Sequence, residues 1–101
     1  MIYIFGYGAM AKAIASGLKG EIGFCVVGRN IEKLKSFAQN YECDYFVLDG
    51  FDITDKKILL TIKPYALQEV SMRIKGEAEV LISILAGKSL VELQRIKAKS
   101  Y

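Results

Sequence analysis

The sequence predicts an α/β fold, a doubly wound parallel sheet of about five strands in the order 3-2-1-4-5. Three observations carry this. Continuous apolar runs recur along the chain, helical patterns lie between them, and the first run breaks into the glycine pair Gly6 and Gly8 just where a helix begins. Runs that are apolar without alternation suit strands covered on both faces. Strand alternating with helix implies parallel pairing through right-handed crossovers.

The first strand spans Ile2 to Phe5. The helix after it carries Ala11, Ile14, Ala15 and Leu18 on one face and Lys12, Ser16 and Lys19 on the other, the period of a helix packed on one side. The second strand is Phe24 to Val27. Asn30 is a good N-cap for the next helix, whose apolar face reads Ile31, Leu34, Phe37 or Ala38, and Tyr41. The third strand is Tyr45 to Leu48. The segment "DGFDITDKK" joins it to the fourth, Ile58 to Ile62, and is short against the roughly dozen residues a crossover needs. An irregular loop or a single helical turn is expected there, anchored by Phe51. Pro64, the only proline, lacks an N–H and ends the fourth strand. Leu67, Val70 and Ile74 mark a third helix. The fifth strand runs from Val80 to Leu85, and Leu90, Leu93 and Ile96 mark a last short helix.

The 101 residues, 52% hydrophobic and 25% charged, make one globular domain. No apolar run approaches the ~18 residues of a membrane span, so no membrane partner is expected. The start "MIYIFGYG" has neither a basic n-region nor a cleavage site, so no signal peptide is expected. Cys25 and Cys43 lie in apolar runs and read as reduced thiols of a cytoplasmic protein, without the spacing of a disulfide or a metal site. The net charge of +3 fits an anionic small ligand. No dense basic stripe interleaved with aromatics calls for nucleic acid. Histidine is absent, which removes the commonest acid/base near neutral pH and argues against zinc or a Ser-His-Asp or Cys-His nucleophile.

Gly6-Tyr7-Gly8-Ala9-Met10-Ala11 is a G-x-G-x-x-A pattern. It follows a strand, opens a helix and begins a strand-helix-strand unit, the context of Rossmann-like dinucleotide binding. Gly6 makes the tight turn. Gly8 lets a pyrophosphate approach the backbone where a Cβ would collide. Ala11 lets the helix pack closely on the sheet, and the helix start turns free N–H groups and the dipole toward the anion. The alternative is a tight strand-to-helix turn with no ligand. At the end of the second strand an NAD site places Asp or Glu for the ribose 2′-OH. This chain has Gly28 and Arg29 there, in "CVVGRNIEK". A guanidinium attracts a 2′-phosphate. Lys33, in the first turn of the next helix, opposes the dipole unless a phosphate offsets it. NADP(H) is therefore expected over NAD(H), which stays as the alternative. Otherwise Arg29 and Lys33 are solvated surface cations. Thr61, Ile62, Lys63 and Pro64 end the fourth strand, beside the reversal of strand order where α/β sheets bind ligands. Lys63-Pro64 also reads as a simple strand terminator. Ala86-Gly87 leaves room for a flat ring or merely turns the chain.

Three segments, "IYIFGYGAMAKAIASGL", "ILLTIKP" and "LISILAGKSLVEL", together resemble the amino-terminal domain of pyrroline-5-carboxylate reductase. The resemblance spans nearly the whole chain but only the family's first domain. It implies an NAD(P)H-dependent reductase of proline biosynthesis that reduces the C=N bond of 1-pyrroline-5-carboxylate to L-proline. By position it implies that Phe5, Gly6, Tyr7, Gly8, Ala9 and Met10 meet the pyrophosphate, and that Arg29 and Asn30 meet the adenosine ribose or its phosphate. Thr61 to Pro64 would meet the ribose beside the nicotinamide, and Ile84, Leu85 and Ala86 the nicotinamide region. Ala9 stands where the family usually has Asn, Leu85 replaces a small residue and Lys88 an apolar one. In this family the carboxylate-binding and proton-donating groups come largely from a following helical domain, which also makes the dimer. The 101 residues are accordingly expected to be a cofactor-binding domain, a truncated or partial product inactive alone, forming a homo-oligomer only with that further domain. No catalytic residue is assigned. Another NADP-dependent keto- or hydroxy-acid reductase and a non-catalytic nucleotide-sensing module are the competing readings.

Overall fold

A computed structural model of the chain describes residues 1–83 and 96–100. Its elements are β1 (Ile2–Phe5), α1 (Ala9–Leu18), β2 (Phe24–Gly28), α2 (Ile31–Tyr41), β3 (Asp44–Val47), β4 (Lys57–Leu60), a 3-10 turn (Pro64–Ala66), α3 (Leu67–Arg73) and β5 (Val80–Ser83). The five strands form one parallel sheet in the order β3-β2-β1-β4-β5, the doubly wound Rossmann-like arrangement the alternating pattern predicts. In register, Phe5 lies opposite Val27 on one side and Leu60 on the other. The carboxyl ends of β1, β2 and β4 therefore meet at one rim, and strand order reverses across β1.

Successive strand residues go to opposite faces, and the core divides accordingly. Ile4, Phe24 and Val26 pack with Ala11 and Ala15 of α1 and Leu34 and Phe37 of α2. Phe5, Val27, Ile58, Leu60 and Leu81 pack with Leu67 and Val70 of α3, and with Leu48, Ile53, Ala78 and Ile96. The fully buried Ala11 and Ala15 bring α1 close to the sheet, and so fix where its first turn points. Beyond Ile96 the backbone runs along β5. The Ala78 N–H donates to the Lys97 carbonyl at 2.9 Å, and the Leu81 N–H to the Ser100 carbonyl at 2.8 Å. Leu90 and Leu93, the other two apolar positions of the expected last helix, lie outside the described residues.

Several boundaries differ from the sequence expectation, each for a local reason. β4 stops at Leu60 rather than Ile62 because its partner β1 leaves the sheet at Gly6, where φ is +121°. β3 begins one residue earlier, at Asp44, and is not covered on both faces. Phe46 and Val47 are each 40% exposed, since β3 is an edge strand and the chain after it forms no crossover helix. Ile31 does not join the apolar face of α2 and is 47% exposed. It is the first residue of the helix, beyond the end of β2, where the sheet offers nothing to pack against. The β3–β4 connection is irregular and anchored by Phe51, as expected. The Phe51 ring lies 5.6 to 5.9 Å from the rings of Tyr3, Phe5 and Phe46.

Both cysteines are free thiols, Cys25 buried and Cys43 half-buried. Burial, with Cys25 and Asp44 nearby, pushes the Cys43 thiol from 9.0 up to about 11. The thiolate is the reactive form, so at pH 8 iodoacetamide is expected to label Cys43 in the folded chain more than about tenfold more slowly than in urea. Equal rates would mean that the amino end of β3 is open. Among the described residues no helix is long and apolar enough to cross a membrane, and no three acidic or cysteine side chains cluster to hold a metal ion.

Candidate cofactor site

The two glycines of the opening motif do different work. Gly6 is required by the fold. Its φ of +121° suits no side chain, and a Cβ there would stand 2.5 Å from Thr61 Oγ1. Thr61 is held in place because its N–H (3.0 Å) and its hydroxyl (2.9 Å) both donate to the Phe5 carbonyl. The Gly6 N–H in turn donates to the Val27 carbonyl at 3.0 Å. The turn is thus pinned between β2 and β4. Gly8 is not required by the fold. Its φ of −83° is open to any residue, and a Cβ would meet nothing within 4 Å.

Gly8 caps α1 without a side chain, and the first turn of α1 carries no acidic residue. The contrast with α2 is direct. There Asn30 Oδ1 accepts the Lys33 N–H at 3.0 Å and Glu32 occupies the first turn. A helix start keeps unpaired N–H groups and a positive dipole end unless something supplies an acceptor. α2 supplies its own. α1 opens instead on a cleft of about 620 Å³ at the reversal of strand order, a size usual for small-molecule sites.

Of the residues the sequence singles out, Phe5, Gly6, Tyr7, Gly8, Gly28, Arg29, Lys33, Thr61, Ile62 and Lys63 line this cleft. Ala9, Met10 and Asn30 do not. Ala9 and Met10 are exposed at the start of α1, and the Asn30 side chain caps its own helix. The backbone at Pro64 begins the 3-10 turn. Ile84, Leu85 and Ala86 lie outside the described residues. Gly28 is bare on account of Tyr7, since a Cβ there would come within 2.6 Å of the Tyr7 ring. Lys33 Nζ lies 5.7 Å from the centroid of that ring, so Tyr7 and Lys33 form one wall.

Arg29 is half exposed and ion-paired. Its Nη1 donates to Glu69 Oε1 on α3, across the cleft. Sequence reasoning missed Glu69, and also Lys12 and Tyr65, which line the cleft as well. The spacing Glu69 to Arg73, one helical turn, was the available signal for a charged helix face. Nothing in it pointed forty residues back to Arg29. With Lys12, Arg29, Lys33 and Lys63 on its walls against Glu69, the cleft carries an excess of positive charge.

Over residues 1–87 the chain matches the family described as NADP oxidoreductase, coenzyme F420-dependent. It belongs to that family. No curated protein matches the chain. The family is an NADP-binding oxidoreductase domain, it includes pyrroline-5-carboxylate reductase, and its cofactors are of the NAD(P)H type.

Proposed function

We propose that the chain is the NADP(H)-binding domain of a cytoplasmic reductase that converts 1-pyrroline-5-carboxylate to L-proline. The observation that carries the cofactor assignment is Gly8, whose missing side chain nothing in the fold demands. The N–H groups at the start of α1 bind the pyrophosphate with the help of the dipole. Arg29, beside Lys33, draws the 2′-phosphate. Thr61 and Lys63 meet the far ribose from the rim of β4. When bound, the cofactor supplies the hydride for the C=N carbon. The imine nitrogen takes a proton from a group outside the described residues, and a further helical domain shields the imine from water and forms the homo-oligomer. The substrate assignment rests on the sequence resemblance of three segments, the glycine motif, the Lys63-Pro64 strand end and the run Ser83 to Leu90.

Equilibrium titration tests the cofactor. NADPH is expected to bind more tightly than NADH, and Arg29→Gln to weaken NADPH by about tenfold, the loss of one charge-assisted contact, while moving NADH less than about twofold. Tighter binding of NADH by the unaltered chain would refute the role of Arg29. Turnover by the full reading frame tests the substrate. Oxidation of NADPH by 1-pyrroline-5-carboxylate supports the proposal. Turnover only with a keto acid, or with the coenzyme F420 that the family is named for, would refute the imine and leave the cofactor. Tight NADPH binding with no turnover on any of them would make the chain a nucleotide-sensing module.

A further inference from the structure

We infer that Glu69 is a specificity-determining residue, an internal anion that competes with the 2′-phosphate for Arg29. With the cofactor assigned as above, on which this inference rests, Arg29 has two claimants. In the free chain its Nη1 is held by Glu69 Oε1 from the opposite wall of the cleft. A phosphate bound to the same guanidinium would lie against that carboxylate, and like charges at such range repel. Binding is therefore an exchange, in which the phosphate takes Arg29 and Glu69 gives it up.

The structure makes the exchange cheap for Glu69. The same Oε1 accepts Arg73 Nη2 at 3.0 Å, and Arg73 Nη1 donates to Asp49 Oδ1 at 2.6 Å. When Arg29 leaves, Glu69 keeps Arg73. An unphosphorylated ribose carries no charge with which to displace Glu69, and its 2′-hydroxyl suits a carboxylate acceptor. Glu69 thus works against NADP(H) and not against NAD(H), narrowing the preference that Arg29 creates. Both partners of the pair are about half exposed, with side-chain exposures of 53% and 45%. The effect is accordingly modest and falls as salt screens it.

The test is titration of the unaltered chain, Glu69→Gln and Arg73→Gln with NADPH and NADH, and with adenosine 2′,5′-bisphosphate and ADP as probes lacking the nicotinamide. Glu69→Gln is expected to tighten NADPH and the bisphosphate about two- to fivefold, the range of an exposed ion pair, with NADH and ADP unmoved or slightly weaker. Arg73→Gln leaves Glu69 with Arg29 alone and is expected to shift the ratio the opposite way. Both shifts should shrink between 50 mM and 500 mM salt. A ratio unchanged in Glu69→Gln, or a weaker NADPH complex, overturns the inference, the latter by making Glu69 a positioning residue for Arg29. If either variant unfolds, the sign of the other decides. Failure of the cofactor reading looks different, because the unaltered chain would then bind none of the four probes.

Discussion

The Gly8→Asp variant is expected to be more stable than the wild-type chain and to bind NADPH at least about a hundredfold more weakly. The two effects share one cause. Gly8 is the N-cap of α1, with extended backbone at φ −83° and ψ −165° and no side chain to accept a helix N–H. Asp is among the best N-caps, and its charge meets the positive end of the dipole. Together these are worth about 0.5–1 kcal/mol, or roughly 2–6 °C in Tm for a domain of this size. The space around Gly8 is open, so the new side chain strains nothing. It fills the place proposed for the pyrophosphate and puts a negative charge there. Thermal melts and NADPH titration of the same sample check both signs. A variant that gains stability and still binds NADPH like wild type would remove the ligand from that helix start.

The sheet and its order were legible because two independent signals agreed. The apolar runs mark the strands, and the glycine turn after the first of them marks where a crossover begins. Strand ends were less legible, because they depend on the neighbour. β4 stops when β1 turns away at Gly6, which no run of four or five residues records. The exposure of β3 was hidden for a similar reason. Tyr45, Phe46 and Val47 read as a buried strand, yet an edge strand is buried only if the next element covers it, and here that element is a loop pinned by Phe51 rather than a helix. At the site, backbone features could be read in advance, since glycine and N-cap chemistry are local. The wall of the cleft could not. Gly28 was placed at the end of the second strand beside the cofactor; it lines the cleft, but the packing of Tyr7 against it was not foreseen. Arg29 had a phosphate or solvent as its expected partner, and the structure gives it Glu69. The second contact depends on where α3 lies, and its packing rests on Leu67 and Val70.

Gly6→Ala is expected to do the reverse of the Gly8 substitution and to cost the fold about 2–4 kcal/mol, a sizeable part of a small domain's stability. Two terms add. The φ of +121° strains any L residue, and the new Cβ would press on Thr61 Oγ1 at 2.5 Å, with the next atoms at 3.4 and 3.5 Å. Thr61 cannot simply rotate away without giving up the hydroxyl bond to the Phe5 carbonyl. A Thr61→Ala background separates the terms. Alone it costs about 0.5–1.5 kcal/mol for the lost hydrogen bond, because the Phe5 carbonyl keeps the Thr61 N–H. In the double variant the steric term vanishes while the backbone strain stays, so the combined loss should fall short of the sum of the single losses by about 1 kcal/mol. Urea melts of the four proteins close that cycle. Strict additivity would mean that Thr61 does not press on the turn. A Gly6→Ala chain as stable as wild type would mean that the left-handed turn is not there, and the fixed direction of α1's first N–H groups would lose its structural basis.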